Sequence, residues 1–118
     1  MDERPHKKLK LWKAAMDFVV EIYEITKVFP REEEFGLKSQ LRRAAVSVPS
    51  NIAEGLTRTS KADKKHFLNI AQSSLSEVDA QLEISERLGY FDRGASDKAT
   101  SLLRDVYMLL SGLFRSIK

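Results

Sequence analysis

The two histidines, His6 and His66, are the first residues to test for chemistry, and neither has a partner at catalytic spacing. His66 lies among lysines and precedes Phe67, off the apolar side of its helix, so it reads as a surface histidine. Helical nucleases that use an Arg and a His a few residues apart need an arginine ahead of the histidine in one helix, and none stands there. A di-metal site in a bundle needs Glu-x-x-His motifs on facing helices, and none is present. With no cysteine, the chain has no thiolate metal ligand, no cysteine nucleophile and no disulfide, which suits a reducing cytoplasm. Neither G-x-x-x-x-G-K-[ST] nor G-x-G-x-x-G occurs. In "NIAEG", Asn51 and Glu54 share a helical turn, but Glu54 also precedes Arg58 by four, an ordinary stabilising pair. The reading is therefore a protein without enzyme activity, catalytic residues, metal or cofactor.

Charge is the remaining chemistry. The formal net charge of +3 is small, but it is unevenly placed. Arg4, Lys7, Lys8, Lys10 and Lys13 stand against Asp2 and Glu3; Arg58, Lys61, Lys64 and Lys65 stand against Asp63. Residues 77–86 carry only acids. The second cluster, with Arg42 and Arg43 further down the same helix, forms a candidate phosphate-binding surface. No aromatic residue interleaves with it, so base stacking is not expected.

Helices must position these groups. In 118 residues, 42% hydrophobic, with only 5 Gly and 3 Pro, a single soluble helical domain is expected. No apolar run approaches the roughly 18–20 residues of a membrane span, and no signal-peptide pattern follows the basic N-terminus. The periodicity predicts helices over about 9–28, 33–58, 61–88 and 96–117. Trp12, Ala15, Met16, Val19, Ile22, Tyr23 and Thr26 form the expected core stripe of the first. Ser60 and Ser96 are N-cap candidates, and Gly89 is a C-terminal stop. Tyr90 and Phe91 should fold back onto the bundle end.

The stretch "SVPSNIAEG" lies inside the second helix. Leu37, Leu41, Ala44, Ala45, Val48, Ile52 and Leu56 share one side, and Ser47, Asn51, Glu54 and Arg58 the opposite one. The phase is unchanged across Pro49, so one helix passes through the proline and should bend between Ala45 and Pro49. The expected architecture is all-α, an antiparallel up-down-up-down four-helix bundle with its second helix kinked at Pro49. Two apolar lines lie outside the core stripes: Ile70, Glu77 and Ile84, spaced by seven, and Val46 with Ala53. They mark a candidate subunit interface.

"RRAAVSVPSNIAEGLTRTS" and "HFLNIAQSSLSEVDAQLEISERLGYF" resemble a bacterial family of four-helix-bundle proteins encoded in intervening sequences of 23S ribosomal RNA genes. The accessory variability determinant of diversity-generating retroelements is related to it. The resemblance runs from Leu9–Phe18 to the last helix and is most specific at Val48–Gly55 and Ser74–Leu82. It departs at Gln72-Ser73, where many members carry Arg-Gly or a similar pair. It implies a cytoplasmic homopentamer with no enzyme activity and no cofactor, with RNA binding as the usual suggestion. Its retroelement relatives bind nucleic acid and associate with a reverse transcriptase. The leading expectation is thus a non-catalytic, homo-oligomeric, RNA-associated accessory protein that does not enter membranes. A protein-interaction scaffold, partnered by a reverse transcriptase or another RNA-processing protein, is the alternative, and a hydrolase or nuclease is the third reading.

Overall fold

Pro30 and Gly36, the Arg58–Ser60 turn, and Gly89 with Gly94 separate the chain into four α-helices. The computed structural model describes residues 9–117, the side chain of Arg93 excepted. The helices are α1 (Lys10–Ile25), α2 (Leu37–Thr57), α3 (Lys61–Arg87) and α4 (Asp97–Ser116), with short 3-10 turns at Thr26–Val28, Arg31–Glu33 and Arg93–Ser96. No strand occurs among the described residues, so the chain is all-α, four helices packed around one core.

The helix ends follow local chemistry, with two corrections. Ser60 caps α3 as expected, its hydroxyl accepting from the Asp63 amide at 3.0 Å. Gly89 ends that helix at φ 76°, a conformation that glycine adopts without steric cost. The second helix, expected from Glu33, begins at Leu37. Glu33 instead sits in the preceding turn and caps α2 from outside, its Oε1 accepting from the Leu37 amide at 2.8 Å. Ser96 makes no cap hydrogen bond; its hydroxyl reaches Glu86 Oε2 at 3.4 Å and ties α4 to the end of α3.

The core is built from Leu11, Ala15, Phe18 and Ile22 of α1, Leu41, Ala45, Val48 and Ile52 of α2, Leu68, Ala71, Leu75, Val78 and Leu82 of α3, and Ala99, Val106 and Leu110 of α4. Each large side chain so buried contributes roughly 1.5–3 kcal/mol. On α1 the stripe is turned from its expected position. Phe18 is fully buried, whereas Met16 and Tyr23 are 42% and 40% exposed.

The α2–α3 seam is the most extensive. Its partners pair as Gln40 with Gln81, Ser47 with Ser74, and Gly55 with Leu68. At Gly55 the helices approach closely: a Cβ there would lie 3.2 Å from the Lys64 carbonyl and 3.3 Å from Leu68 and Phe67. Pro49 is buried within α2 and leaves the Ala45 carbonyl without its usual amide donor. Around it, side chains bond the neighbouring carbonyls: Ser50 Oγ donates to Val46 O, and Asn51 Nδ2 to Ser47 O, each at 2.8 Å.

Candidate nucleic-acid interface

Where α2 turns into α3, Arg58 closes one helix and Lys61, Lys64 and Lys65 open the next. Arg58 Nη2 donates to Glu54 Oε2 at 2.6 Å, and its guanidinium lies 4.8 Å from the centre of the Phe67 ring. Lys65 Nζ lies 5.7 Å from the Phe114 ring. The Phe67 and Phe114 rings are thus covered by the patch's own cations. Lys61 is exposed and Lys64 half-buried. All three lysines sit in the opening turns of α3, where the helix dipole is positive and disfavours them. Asp63 partly offsets this. Positive side chains and unsatisfied amides together make an anion-attracting end.

Arg42 and Arg43 do not join that group. Arg42 Nε donates to Thr26 Oγ1 at 2.9 Å and Nη2 to the Tyr23 carbonyl at 3.1 Å, with the guanidinium 4.5 Å from the Tyr23 ring centre. It closes the C-terminal end of α1, where a cation is favoured. Arg43 is exposed, donates to Ser39 Oγ at 3.2 Å, and lies about 22 Å of helix rise from Arg58. The basic residues Arg4, Lys7 and Lys8, together with His6, lie outside the described residues.

Asn51 and Glu54 are both engaged within α2: Asn51 with Ser47, Glu54 with Arg58. Ser47, expected to face away from the fold, instead meets α3: its Oγ accepts from Ser74 Oγ at 2.8 Å.

The candidate interface residues divide between two surfaces. Val46, 39% exposed, lines an apolar groove between α1 and α2 with Trp12, Met16, Val19 and Pro49. Glu77 is exposed and lines a polar groove of about 520 Å³ between α2 and α3 with Gln40, Arg43, Ser47 and Ser74. Ala53 and Ile70 are half-buried, and Ile84 is 47% exposed. Sequence reasoning passed over Phe35, which is 97% exposed and stands beside both Arg43 and the polar groove. The expected second helix, from residue 33, takes in Phe35, whereas the residue stands on the turn before Leu37.

At the other bundle end Phe29 packs against Tyr90 and Phe91, ring centres 5.2 and 5.8 Å apart. Tyr90 donates to Glu33 Oε2 at 2.6 Å. That bond, with the Leu37 amide, holds the Glu33 carboxyl below its ordinary value and raises the Tyr90 phenol. Lys27 and Lys38 likewise lower Glu24 and Glu34. Each of these shifts has a structural pair as its cause. Among the described residues no group of three or more His, Cys, Asp or Glu is placed to hold a metal ion. No described helix is long and apolar enough to cross a membrane.

This helical bundle with a cationic interhelical turn has known relatives. The family model of the 23S rRNA-intervening sequence protein matches residues 7–112, and the chain belongs to that family. A crystal structure of a protein of unknown function from the S23 ribosomal protein family of Bacteroides thetaiotaomicron shares the fold. The TM-score is 0.81 at 24% identity, over 89% of this chain and 95% of that one. Comparison with curated proteins gives no match.

Proposed function

We propose that the protein is a non-catalytic, homo-oligomeric accessory protein that binds structured RNA through the α2–α3 turn. The observation that carries this reading is the placement of Lys61, Lys64 and Lys65 on the opening turns of α3, with Arg58 beside them. The arrangement is unfavourable to the isolated helix and favourable to a phosphate backbone. The family's association with 23S rRNA intervening sequences favours RNA as the polyanion. Binding is salt-sensitive and weakly sequence-selective. Replacing Arg58, Lys61, Lys64 and Lys65 with Glu should lower affinity for structured RNA by roughly a hundredfold or more at low salt. Circular dichroism and assembly mass should stay unchanged. Wild-type protein without affinity for RNA or DNA at low ionic strength sinks the reading.

The oligomer is a cytoplasmic pentamer in this reading, supported by the exposed apolar side chains of Val46 on α2 and Ile84 on α3. Light scattering should give the mass of five 13.5 kDa chains; a monomer at micromolar concentration removes it. Successive helices run antiparallel, up-down-up-down, a reading supported by partner numbers that fall along α3 as they rise along α2: 40 with 81, 47 with 74, 55 with 68. Pro49 bends α2.

A second reading has the same surface serve a protein partner, such as a reverse transcriptase or another RNA-processing protein. Phe35 favours it, because exposed aromatics are common interface anchors. Partner capture that survives the fourfold charge reversal would select it.

A further inference from the structure

The polar groove between α2 and α3 is lined by a cation and an anion that do not pair. Arg43 of α2 and Glu77 of α3 both face it. Arg43 donates to Ser39 Oγ and Glu77 accepts from Gln81, and neither is in an ion pair among the described residues. Gln81, 7% exposed, anchors the acceptor side: its Nε2 donates to Gln40 Oε1 at 3.3 Å and to Glu77 Oε2 at 3.2 Å. Two acceptor oxygens thus converge on one donor nitrogen, while Gln81 Oε1 is buried without a partner. This side of the groove is short of donors. On the other side the Arg43 guanidinium has donors to spare. At the rim stands Phe35, a ring 97% exposed.

The ligand that complements this arrangement is flat, carries adjacent donors on one edge and acceptors on another. Among the nucleobases only guanine does. Its N1–H and N2–H₂ are neighbouring donors that fit the two oxygens of a carboxylate, and its O6 and N7 are the acceptor pair that arginine reads. The other bases break up the donor pair with an acceptor. An unstacked base also needs a face to lie on, which an exposed aromatic ring supplies. Space is sufficient: the groove has a volume of about 520 Å³, and a closed cavity of about 150 Å³ already accommodates a benzene ring.

We infer that the α2–α3 groove takes one unpaired guanine of a bound RNA, with Glu77 on its Watson–Crick edge, Arg43 on O6 and N7, and Phe35 against its face. This rests on the RNA-binding reading above and gives its weak sequence selectivity a source. Ser47, Asn51, Glu54 and Arg58 share one stripe of α2, so the groove opens on the side of the basic turn. Ser47 lies about 16 Å of helix rise from Arg58, within the span of one RNA hairpin whose phosphates the turn holds.

The test uses RNA hairpins of identical stem, with guanine, inosine or adenine at a single unpaired loop position. Inosine lacks only the N2 amino group. Wild type should bind the guanine hairpin at least roughly fivefold more tightly than the other two. Glu77→Gln should bind the guanine and inosine hairpins equally, with its melting temperature unchanged, because a glutamine oxygen still accepts from Gln81. Arg43→Gln should be indifferent to replacing guanine with 7-deazaguanine, which weakens wild-type binding. Phe35→Ala should weaken binding to all three hairpins by roughly fivefold or more without loss of fold. Guanosine monophosphate alone should bind at least roughly a hundredfold more weakly than the guanine hairpin, since it forgoes the phosphate contacts of the turn. Equal affinity of the two would assign the groove to a free nucleotide and overturn the RNA guanine. A guanine preference that survives Glu77→Gln, or Phe35→Ala with unchanged affinity, overturns the pocket. Equal wild-type affinity for the three hairpins overturns it too and leaves RNA binding at the α2–α3 turn standing. No affinity for any hairpin at low salt overturns both.

Discussion

At the end where Phe29, Tyr90 and Phe91 meet, charged groups are used up in holding the chain together. Glu33 joins Tyr90 to the start of α2, Arg42 closes α1, and Lys27 and Lys38 pair with Glu24 and Glu34. At the opposite end Arg58 and Lys65 lie over aromatic rings, and Lys61 and Lys64 have no ion-pair partner among the described residues. A charge that stabilises the fold is turned inward and has its geometry fixed by partners. A charge held against its helix dipole does little for the fold and remains available. Position on the bundle, more than residue type, separates the two kinds: Lys38 is paired with Glu34 at 2.9 Å, whereas Lys61 has no ion-pair partner among the described residues.

The sharpest way to break this contrast is at Gly55, which sets the α2–α3 spacing beneath the basic end. Gly55→Leu should drive a side chain into the Lys64 carbonyl and Leu68, costing about 1–3 kcal/mol in chemical denaturation. It should also lower RNA affinity by displacing the lysines; unchanged stability would mean that the seam has slack. A smaller effect separates the two uses of charge. Arg42→Ala should cost about 1–2 kcal/mol, through two lost charge-assisted hydrogen bonds, with RNA affinity intact. Lys61→Gln should do the reverse: stability within about 0.5 kcal/mol of wild type, and a salt dependence of binding shallower by about one unit. Equal effects of the two substitutions on RNA binding would erase the distinction between the ends.

The smallest effect concerns the Glu33–Tyr90 bond and shows only with pH. The Glu33 carboxyl titrates lower in the folded state than in the unfolded chain, so its contribution is present above the unfolded carboxylate value. It is lost as pH falls through the folded one. The Tyr90 phenol titrates higher when folded, so its contribution is present below the ordinary phenol value and lost as pH rises through the raised one. Tyr90→Phe should therefore lower the melting temperature slightly at neutral pH and flatten both the acid and the alkaline limbs of its pH profile. Parallel profiles for the two proteins would show that the bond contributes nothing.

Much of the fold was legible because local chemistry determines it. The phase of Leu41, Val48 and Ile52 runs across Pro49, and each of these residues is buried; Ser60 and Gly89 act within one turn of themselves. The first helix was harder, since it is apolar around more than one side. Trp12, Met16, Val19 and Tyr23 compete with Leu11, Ala15, Phe18 and Ile22, and periodicity alone does not say which set faces the core. The start of α2 was misplaced because Glu33 has the composition of a first helical turn but caps the helix with its side chain. At the site, the Arg58–Lys65 cluster could be read as a run of residue types. The role of Arg42 could not, since its partners lie 16 and 19 residues earlier in the chain.

The uneven placement of cations also bears on kinetics. A body 43 Å long with Lys61, Lys64 and Lys65 at one end, and lysines at the other end paired with glutamates, carries a permanent dipole moment along its length. In the field of a polyanion such a body turns before it touches, so encounters become end-on and productive more often than random collision allows. Salt should then act first on how fast the complex forms, and only afterwards on how long it lasts.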